Sequence, residues 1–517
     1  MSSSDEGNKE ILMLPDDAYN RALIENVHPH GWINPEPAEK YNLVVIGAGT
    51  AGLISAAIAA SLGARVALIE RHLMGGDCLN VGCVPSKGII SASRVWSQVK
   101  NAKTFGVDVP DGTQYDFGTV MARMRKLRSR ISHADSAHRY QKMGVDVFIG
   151  EGRFTGSDCV EVGGKDLLFS KAVICTGARA ATPDIPGLKE SGFLTNETVF
   201  SLTELPPRMA VIGAGPIGCE LTQSFARFGS HVCIFEKTDH ILPREDADAA
   251  SLVQERMKQD EVCFVFESNI TQVEKRGNEK VIHFETKGEK KTLVVDEILV
   301  GVGRAPNVEG LGLERAGVEY DLRNGVKVNE RLQTQNSRIY AAGDICFPFK
   351  FTHTADALAQ IVIQNALFPH PFGLGYASTE SLIIPWVTFT DPEIAHVGLY
   401  EADAKAKDIE IDSFTFHLNE VDRAILDGEE DGFARVHLRK GTDKIVGATV
   451  VATHAGEMIS ELTLAMQAGI GLGTIGKTIH SYPTQAEVIK RVANAWRKES
   501  FTEGKKDILR KWFSWTR

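Results

Sequence analysis

Two stretches of this chain, 166 residues apart, carry the same local pattern, and that repeat limits the fold more than any other feature. The first runs Asn42-Leu43-Val44-Val45-Ile46, then Gly47-Ala48-Gly49-Thr50-Ala51-Gly52, an alanine-rich helix to Leu62, and a strand Arg65 to Ile69 ending in Glu70. The second runs Met209-Ala210-Val211-Ile212, then Gly213-Ala214-Gly215-Pro216-Ile217-Gly218, a helix through Phe228, and a strand His231 to Phe235 ending in Glu236. From first glycine to acid the spacing is 23 in both. Continuous β-branched runs read as parallel strands buried on both faces. A glycine turn between strand and helix lets a pyrophosphate sit on the helix N-terminus, and an acid about 20 residues on accepts ribose hydroxyls. Glycine turns without a ligand are the plain alternative, but strand, helix and acid all fall in place twice. The repeat therefore predicts two dinucleotide sites on one chain. At the second site the Glu236 carboxylate favours NADH, because it would repel the extra phosphate of NADPH; Lys237, His240 and Arg244 just behind it soften that preference.

Just after the first unit comes Gly75-Gly76-Asp77-Cys78-Leu79-Asn80-Val81-Gly82-Cys83-Val84-Pro85-Ser86-Lys87. Two thiols four residues apart inside a glycine frame can close a small disulfide ring, and glycines let a flat molecule or another backbone come near the sulfurs. A redox-active disulfide beside a flavin is the expectation. A zinc site needs a second ligand pair, which the chain does not offer, and two unrelated buried thiols are the bland alternative. The six other cysteines, 159, 175, 219, 233, 263 and 346, are scattered singly through apolar runs and read as buried structural thiols of a reducing compartment. A net charge of -10 argues against a nucleic-acid binder. Met1 to Glu10 is polar without a signal-peptide pattern, and no apolar run is long enough to span a bilayer, so a cytoplasmic protein is expected.

Residues 1–39, with four prolines, read as an extended arm with one short helix. Lys87 to Lys142 reads as helical, and its basic run Arg123, Arg125, Lys126, Arg128, Arg130 as a solvated face. Ala172 to Cys175 is a strand leading into the turn Thr176-Gly177, Gly301 to Asn307 another glycine turn, and Ile339 to Asp344 a strand ending in a carboxylate. Beyond about residue 375 the texture becomes α+β, with strands near 384–389, 432–438 and 444–451 and a helix over 457–468. The last segment, Lys505 to Arg517, has five basic residues, with Ile508, Leu509, Trp512, Phe513 and Trp515 on one side of a helix. Packing on the protein's own surface is the plainer expectation for it, and membrane-surface contact the sharper one.

The fingerprint pair, the Cys78/Cys83 motif and Ala342-Gly343-Asp344 together resemble the flavin-dependent pyridine nucleotide-disulfide oxidoreductases, the group of dihydrolipoyl dehydrogenase, glutathione reductase and mercuric reductase, over roughly residues 41–495. The resemblance implies that Gly47, Gly49, Gly52, Glu70, Thr176, Gly177 and Asp344 hold FAD, and that Gly213, Gly215, Gly218, Glu236 and Gly303 hold NAD(P). It makes Cys83 the flavin-proximal thiol, Cys78 the thiol that meets substrate, and Lys87 with Glu220 an ion pair at the reacting edge of the flavin. It also implies a homodimer through the C-terminal domain.

Two departures bear on function. Members that act on small thiols carry His-Pro-Thr-x-x-Glu, whereas this chain has Tyr482-Pro483-Thr484-Gln485-Ala486-Glu487, and a phenol of pKa near ~10 is a poor proton acceptor at neutral pH. Mercuric reductase also has tyrosine here, but this chain ends Trp512-Phe513-Ser514-Trp515-Thr516-Arg517 without that enzyme's terminal cysteine pair. Nearby His480 is a less favoured substitute base, and Pro216 replaces the gating tyrosine of several relatives or simply stiffens a first helical turn.

The expected fold is α/β: two Rossmann-like dinucleotide-binding domains, for FAD and NAD(P), plus a C-terminal α+β dimerisation domain. The expected boundaries are 1–39 extension, 40–190 FAD domain with the disulfide, 191–310 NAD(P) domain, 311–375 return to the FAD domain, 376–500 dimerisation domain and 501–517 basic tail. The expected activity passes electrons from NAD(P)H through FAD and Cys78-Cys83 to an acceptor. A metal ion such as Hg(II), a disulfide, a quinone, and dihydrolipoamide in reverse all compete for that role, as does a flavin-bound redox sensor of little turnover. No resident metal is expected.

Overall fold

A computed structural model describes residues 11–517, so the reading of Met1 to Glu10 lies outside the described residues. The chain forms two compact units. One comprises the residues up to Lys237 together with Cys263–Leu382, the other Thr238–Val262 together with Ile383–Arg517.

The first unit is built on a seven-stranded sheet. Its strands β1 (Tyr41–Ile46), β2 (Val66–Glu70), β3 (Val145–Ile149), β4 (Gly152–Phe154), β5 (Cys159–Val162) and β6 (Lys165–Ile174) lie in the order β3-β2-β1-β6-β5-β4, with Ile339–Ala341 also pairing β6. The pairs β1–β2, β2–β3 and β1–β6 are parallel. Alternate residues of β1 enter different cores: Leu43 and Val45 pack with Leu53 and Ala56 of helix α2 (Thr50–Ser61), while Val44 and Ile46 pack with Phe148, Phe154 and Phe169 on the other face. Burial on both faces is why the run is apolar without alternation.

The second repeat forms a four-stranded parallel sheet in the order Cys263–Val265, His231–Phe235, Arg208–Ile212, Glu297–Val300. An antiparallel meander, Ser268–Arg276, Glu279–Thr286 and Glu289–Val295, shares its core, with the Phe235 and Phe284 rings 5.0 Å apart. The meander carries little strand signal in the sequence because its two outer strands are largely solvated and rich in charge.

The second unit holds a five-stranded antiparallel sheet in the order Pro385–Thr388, Glu393–Gly398, Ile445–Ala452, Phe433–Arg439, Ile411–His417, with helices Ala455–Gln467 and Glu487–Glu499 packed against it. Strands Glu393–Gly398 and Ile411–His417 were not foreseen.

The N-terminal arm contains the one short helix expected, α1 (Ala18–Val27), whose Leu23 and Val27 join the first core. Two expectations are corrected. The basic run lies on helix α5 (Phe117–Ser132), and it is not wholly a solvated face: Arg125 and Arg128 are buried. Arg125 pairs with Asp17 at 2.6 Å, and Arg128 donates to the Asn80 carbonyl at 2.6 Å and the Asn20 side chain at 2.7 Å. These arginines fasten the arm to the cysteine-bearing segment. Finally, the tail helix Glu503–Thr516 buries none of its residues, so the expected packing on the protein's own surface is not found.

Candidate active site

The cysteines stand where two glycine turns meet. Helix α3 (Gly76–Val81) carries Cys78, and helix α4 (Cys83–Asn101) opens on Cys83. Gly75 and Gly76 have φ of 89° and 57°, the left-handed region that favours glycine. A Cβ on Gly76 would lie 2.7 Å from the Gly49 Cα, and the Gly75 amide donates to the Ala48 carbonyl at 2.8 Å. Only backbone fits between fingerprint turn and cysteine helix, which fixes the thiols beside the first nucleotide-type loop. Asn80 reinforces the joint by donating to the Met74 and Gly76 carbonyls at 3.0 and 2.9 Å.

Around the sulfurs the structure collects Cys78, Cys83, Lys87, Glu220 and Thr352. Lys87 lies one turn after Cys83, hence on the same helical face, and its Nζ sits 2.8 Å from Oε2 of the buried Glu220 on helix Pro216–Arg227. The Thr352 hydroxyl lies 3.5 Å from the Cys83 sulfur. Both cysteines are thiols in this structure. A hydrogen bond from the Cys78 thiol, with the Thr352 hydroxyl and the Lys87 ammonium, outweighs burial and lowers Cys83 to about 6. Its place in the first turn of a 19-residue helix acts in the same direction. Cys78 gives up its hydrogen bond to Cys83 and is also partly buried, so its own thiol is pushed up. The helix N-terminus, Lys87 and Thr352 thus favour the thiolate on Cys83 within the reduced pair.

The two fingerprints match in detail. Gly47 and Gly213 have φ of 99° and 100°, and a Cβ on Gly52 or Gly218 would fall 1.8 or 2.0 Å from the carbonyl oxygen of Gly47 or Gly213. Gly215 faces open space, and Gly49 meets only the Gly76 Cα at 3.8 Å. No side chain caps α2 or the Pro216–Arg227 helix, so each presents first-turn amides to its glycine loop. Glu70 accepts from the Ala48 and His72 amides at 2.7 and 2.8 Å, and burial pushes its carboxyl up. Glu236 accepts from the Ala214 and Lys237 amides at 2.8 and 2.6 Å. Pro216 occupies the first helical position, where its missing N–H costs nothing. These cradles suit a dinucleotide pyrophosphate.

Thr176 and Gly177 are clamped to Asn307, whose amide side chain donates to the Thr176 carbonyl at 2.9 Å while its backbone N–H donates to Gly177 at 3.0 Å. Gly303, at φ 125°, has no atom within 4 Å of a built Cβ. Asp344 is pushed up by burial and partly restrained by Arg304, whose Nε lies 3.6 Å away and which also pairs with Asp77. Arg304 and Thr352 were missed as site residues. The sequence signal for Arg304 was its place inside the glycine turn Gly301 to Asn307, and Thr352 had none.

Tyr482 and Glu487 belong to the second unit. The Tyr482 hydroxyl donates to Asp422 Oδ2 at 2.8 Å, which raises the phenol further and suits it less to accept a proton. Glu487 pairs with Arg491 at 2.9 Å, and His480 with Glu461 at 2.9 Å.

Residues 41–360 match the family described as pyridine nucleotide-disulphide oxidoreductase, and residues 384–493 match its dimerisation domain. The chain belongs to this family. Class I members of this oxidoreductase family are flavoproteins with a disulfide redox centre that use FAD and NAD(P)H, and the matched dimerisation domain supports a homodimer. A mercuric reductase of Staphylococcus aureus is 33% identical over 502 residues, spanning 95% of this chain and 90% of the relative. A dihydrolipoyl dehydrogenase of Bacillus subtilis is 35% identical over 456 residues, 87% and 95% of the two chains. The HOCl-induced flavoprotein disulfide reductase RclA from Escherichia coli superposes with a TM-score of 0.78 at 27% identity, covering 88% of this chain and 99% of that one.

The thiolate assignment is testable by alkylating the reduced protein across pH. Replacing Lys87 with Gln removes a cation that favours the thiolate, so the Cys83 midpoint should rise from about 6 by on the order of one unit. A midpoint that stays at about 6 would remove Lys87 from the site's electrostatics.

Proposed function

We propose that this oxidoreductase is mercuric-reductase-like: it uses NAD(P)H to reduce a thiophilic metal ion through Cys78 and Cys83. In this reading residues 40–190 and 311–375 hold FAD through Gly47, Gly49, Gly52, Glu70, Thr176, Gly177 and Asp344. Residues 191–310 hold the nicotinamide nucleotide through Gly213, Gly215, Gly218, Glu236 and Gly303, and residues 376–500 pair two copies. FAD, when bound, supplies the relay that takes a hydride from the nicotinamide and passes two electrons to the disulfide. NAD(P)H, a proton and the disulfide give NAD(P)+ and two thiols; the dithiol and a divalent soft cation such as Hg(II) then give the disulfide, the zero-valent metal and two protons.

Cys83 keeps the thiolate close to Lys87, and Glu220 holds that ammonium in place. Cys78 keeps the proton and, once it is released, is the sulfur free to bind an acceptor. Its partners in the reduced state set the order: the second proton leaves only when a strong electrophile takes the sulfur. The observation that carries the metal reading is the Tyr482–Asp422 hydrogen bond, which leaves the usual proton-accepting position occupied by a phenol held protonated. Breaking a disulfide substrate requires protons to be delivered and collected there, whereas a soft cation displaces the Cys78 proton itself. The Glu236 carboxylate favours NADH over NADPH.

A second reading concerns location. Among the described residues no helix is long and apolar enough to cross a membrane. The tail helix, however, exposes Ile508, Leu509, Trp512, Phe513 and Trp515 beside Lys505, Lys506, Arg510 and Lys511. An amphipathic, Trp-bearing cationic helix suits the interface of an anionic bilayer, and we propose peripheral binding there.

Cys78→Ser is expected to abolish NADH-dependent Hg(II) reduction while NADH–quinone activity survives; Hg(II) turnover that survives contradicts the assignment. Deleting residues 503–517 should abolish co-sedimentation with phosphatidylserine vesicles at low salt. Undiminished co-sedimentation removes the membrane reading.

A further inference from the structure

Two of the cysteines that read as scattered single thiols are neighbours in space. Cys233 lies on strand His231–Phe235 and Cys263 opens strand Cys263–Val265, and the two are direct partners in the parallel register. Register partners on adjacent strands project to the same face, here the face where Cys233 packs with Ala210, Phe235 and Ile298. Cys233 is buried and Cys263 is exposed at the edge of the sheet. Each thiol shifts the other's proton affinity, Cys263 downward and Cys233 upward. The 29 residues between them include the excursion Thr238–Val262 into the second unit, which is why spacing alone hid the pair.

The geometry fits a bridging cation better than a bond between the sulfurs. Adjacent strands run about 4.8 Å apart, and parallel Cα–Cβ vectors keep side chains at roughly that separation. A disulfide requires Cβ atoms at about 3.8 Å, so both residues would have to converge. Two thiolates on opposite sides of one soft metal ion, with metal–sulfur bonds of about 2.3 Å, span about 4.6 Å. Among the described residues no group of three or more His, Cys, Asp or Glu is placed to hold a metal, which argues against a tetrahedral zinc site here. Thiolates without further ligands select soft cations that accept two-coordination.

We propose that Cys233 and Cys263 form a second dithiol site, separate from Cys78 and Cys83, that binds one thiophilic two-coordinate cation of the Cu(I) or Hg(II) type. Binding displaces two protons, one from each sulfur, with no change of oxidation state. The Cys263 thiol is the ready ligand, since it is exposed at the sheet edge and the adjacent Cys233 thiol lowers it to about 7, and burial of Cys233 shields the bound ion from exchange.

The test is anaerobic Cu(I) competition against bathocuproine disulfonate, using the full-length flavin-loaded protein and its Cys263→Ser and Cys233→Ala variants. Wild type should retain one more Cu(I) per chain than either variant, and the two variants should lose the same ion while keeping flavin content and NADH–quinone activity. Equal Cu(I) counts in all three proteins overturn the proposal. So does loss in Cys263→Ser alone, which would mark a single surface thiol. If Cys233→Ala proves unstable, Cys233→Ser supplies the second arm and is read the same way.

Discussion

The architecture around the redox centre depends on one contact, the backbone approach of Gly76 to Gly49. A side chain on Gly76 would place an atom 2.7 Å from the Gly49 Cα, a separation that forces the two turns apart. The glycine-to-carbonyl bond between Gly75 and Ala48 holds them together. Because of this contact a loop shaped for pyrophosphate and a helix carrying a reactive thiol cannot be positioned independently. Asn80 and the buried Arg128 then secure the far side of the cysteine helix, and through Asn20 they draw the N-terminal arm into the same structure.

The electrostatics follow from that placement. Cys83 opens a long helix, Lys87 lies one turn on, and Glu220 from the second nucleotide-type half clamps the lysine. The Lys87–Glu220 pair therefore joins the two repeats at the sulfurs. An ion pair of this kind, with one partner buried, is weak evidence for stability, because desolvation offsets most of the Coulomb gain. Its position beside a thiolate gives it a stronger role in charge placement than in folding.

Much of this was legible in the sequence, and what was not has identifiable causes. Strand β1 and the matching glycine turns were readable because burial on both faces imposes an unbroken apolar run and because close backbone approach admits only glycine. Lys87 and Glu220 came from resemblance, since nothing local ties residues 133 apart. The buried arginines of α5 were misread because a charge run looks the same whether it faces water or Asp17 and the carbonyl of Asn80. Thr352 and Arg304 gave little signal because their roles depend on turns brought together from distant segments. The Cys233–Cys263 pairing was hidden for the same reason: strand order in a parallel sheet is not written in residue spacing. The tail's amphipathic pattern was legible, but whether it was covered was not.

The central claim is that NAD(P)H electrons reach the Cys78–Cys83 pair. The direct measurement is differential alkylation of the anaerobic, flavin-loaded protein before and after one equivalent of NADH, read by peptide mass spectrometry. The account predicts that Cys78 and Cys83 resist alkylation before NADH and that both become labelled after it, with the other cysteines unchanged. Equal labelling of the pair before and after NADH would contradict it.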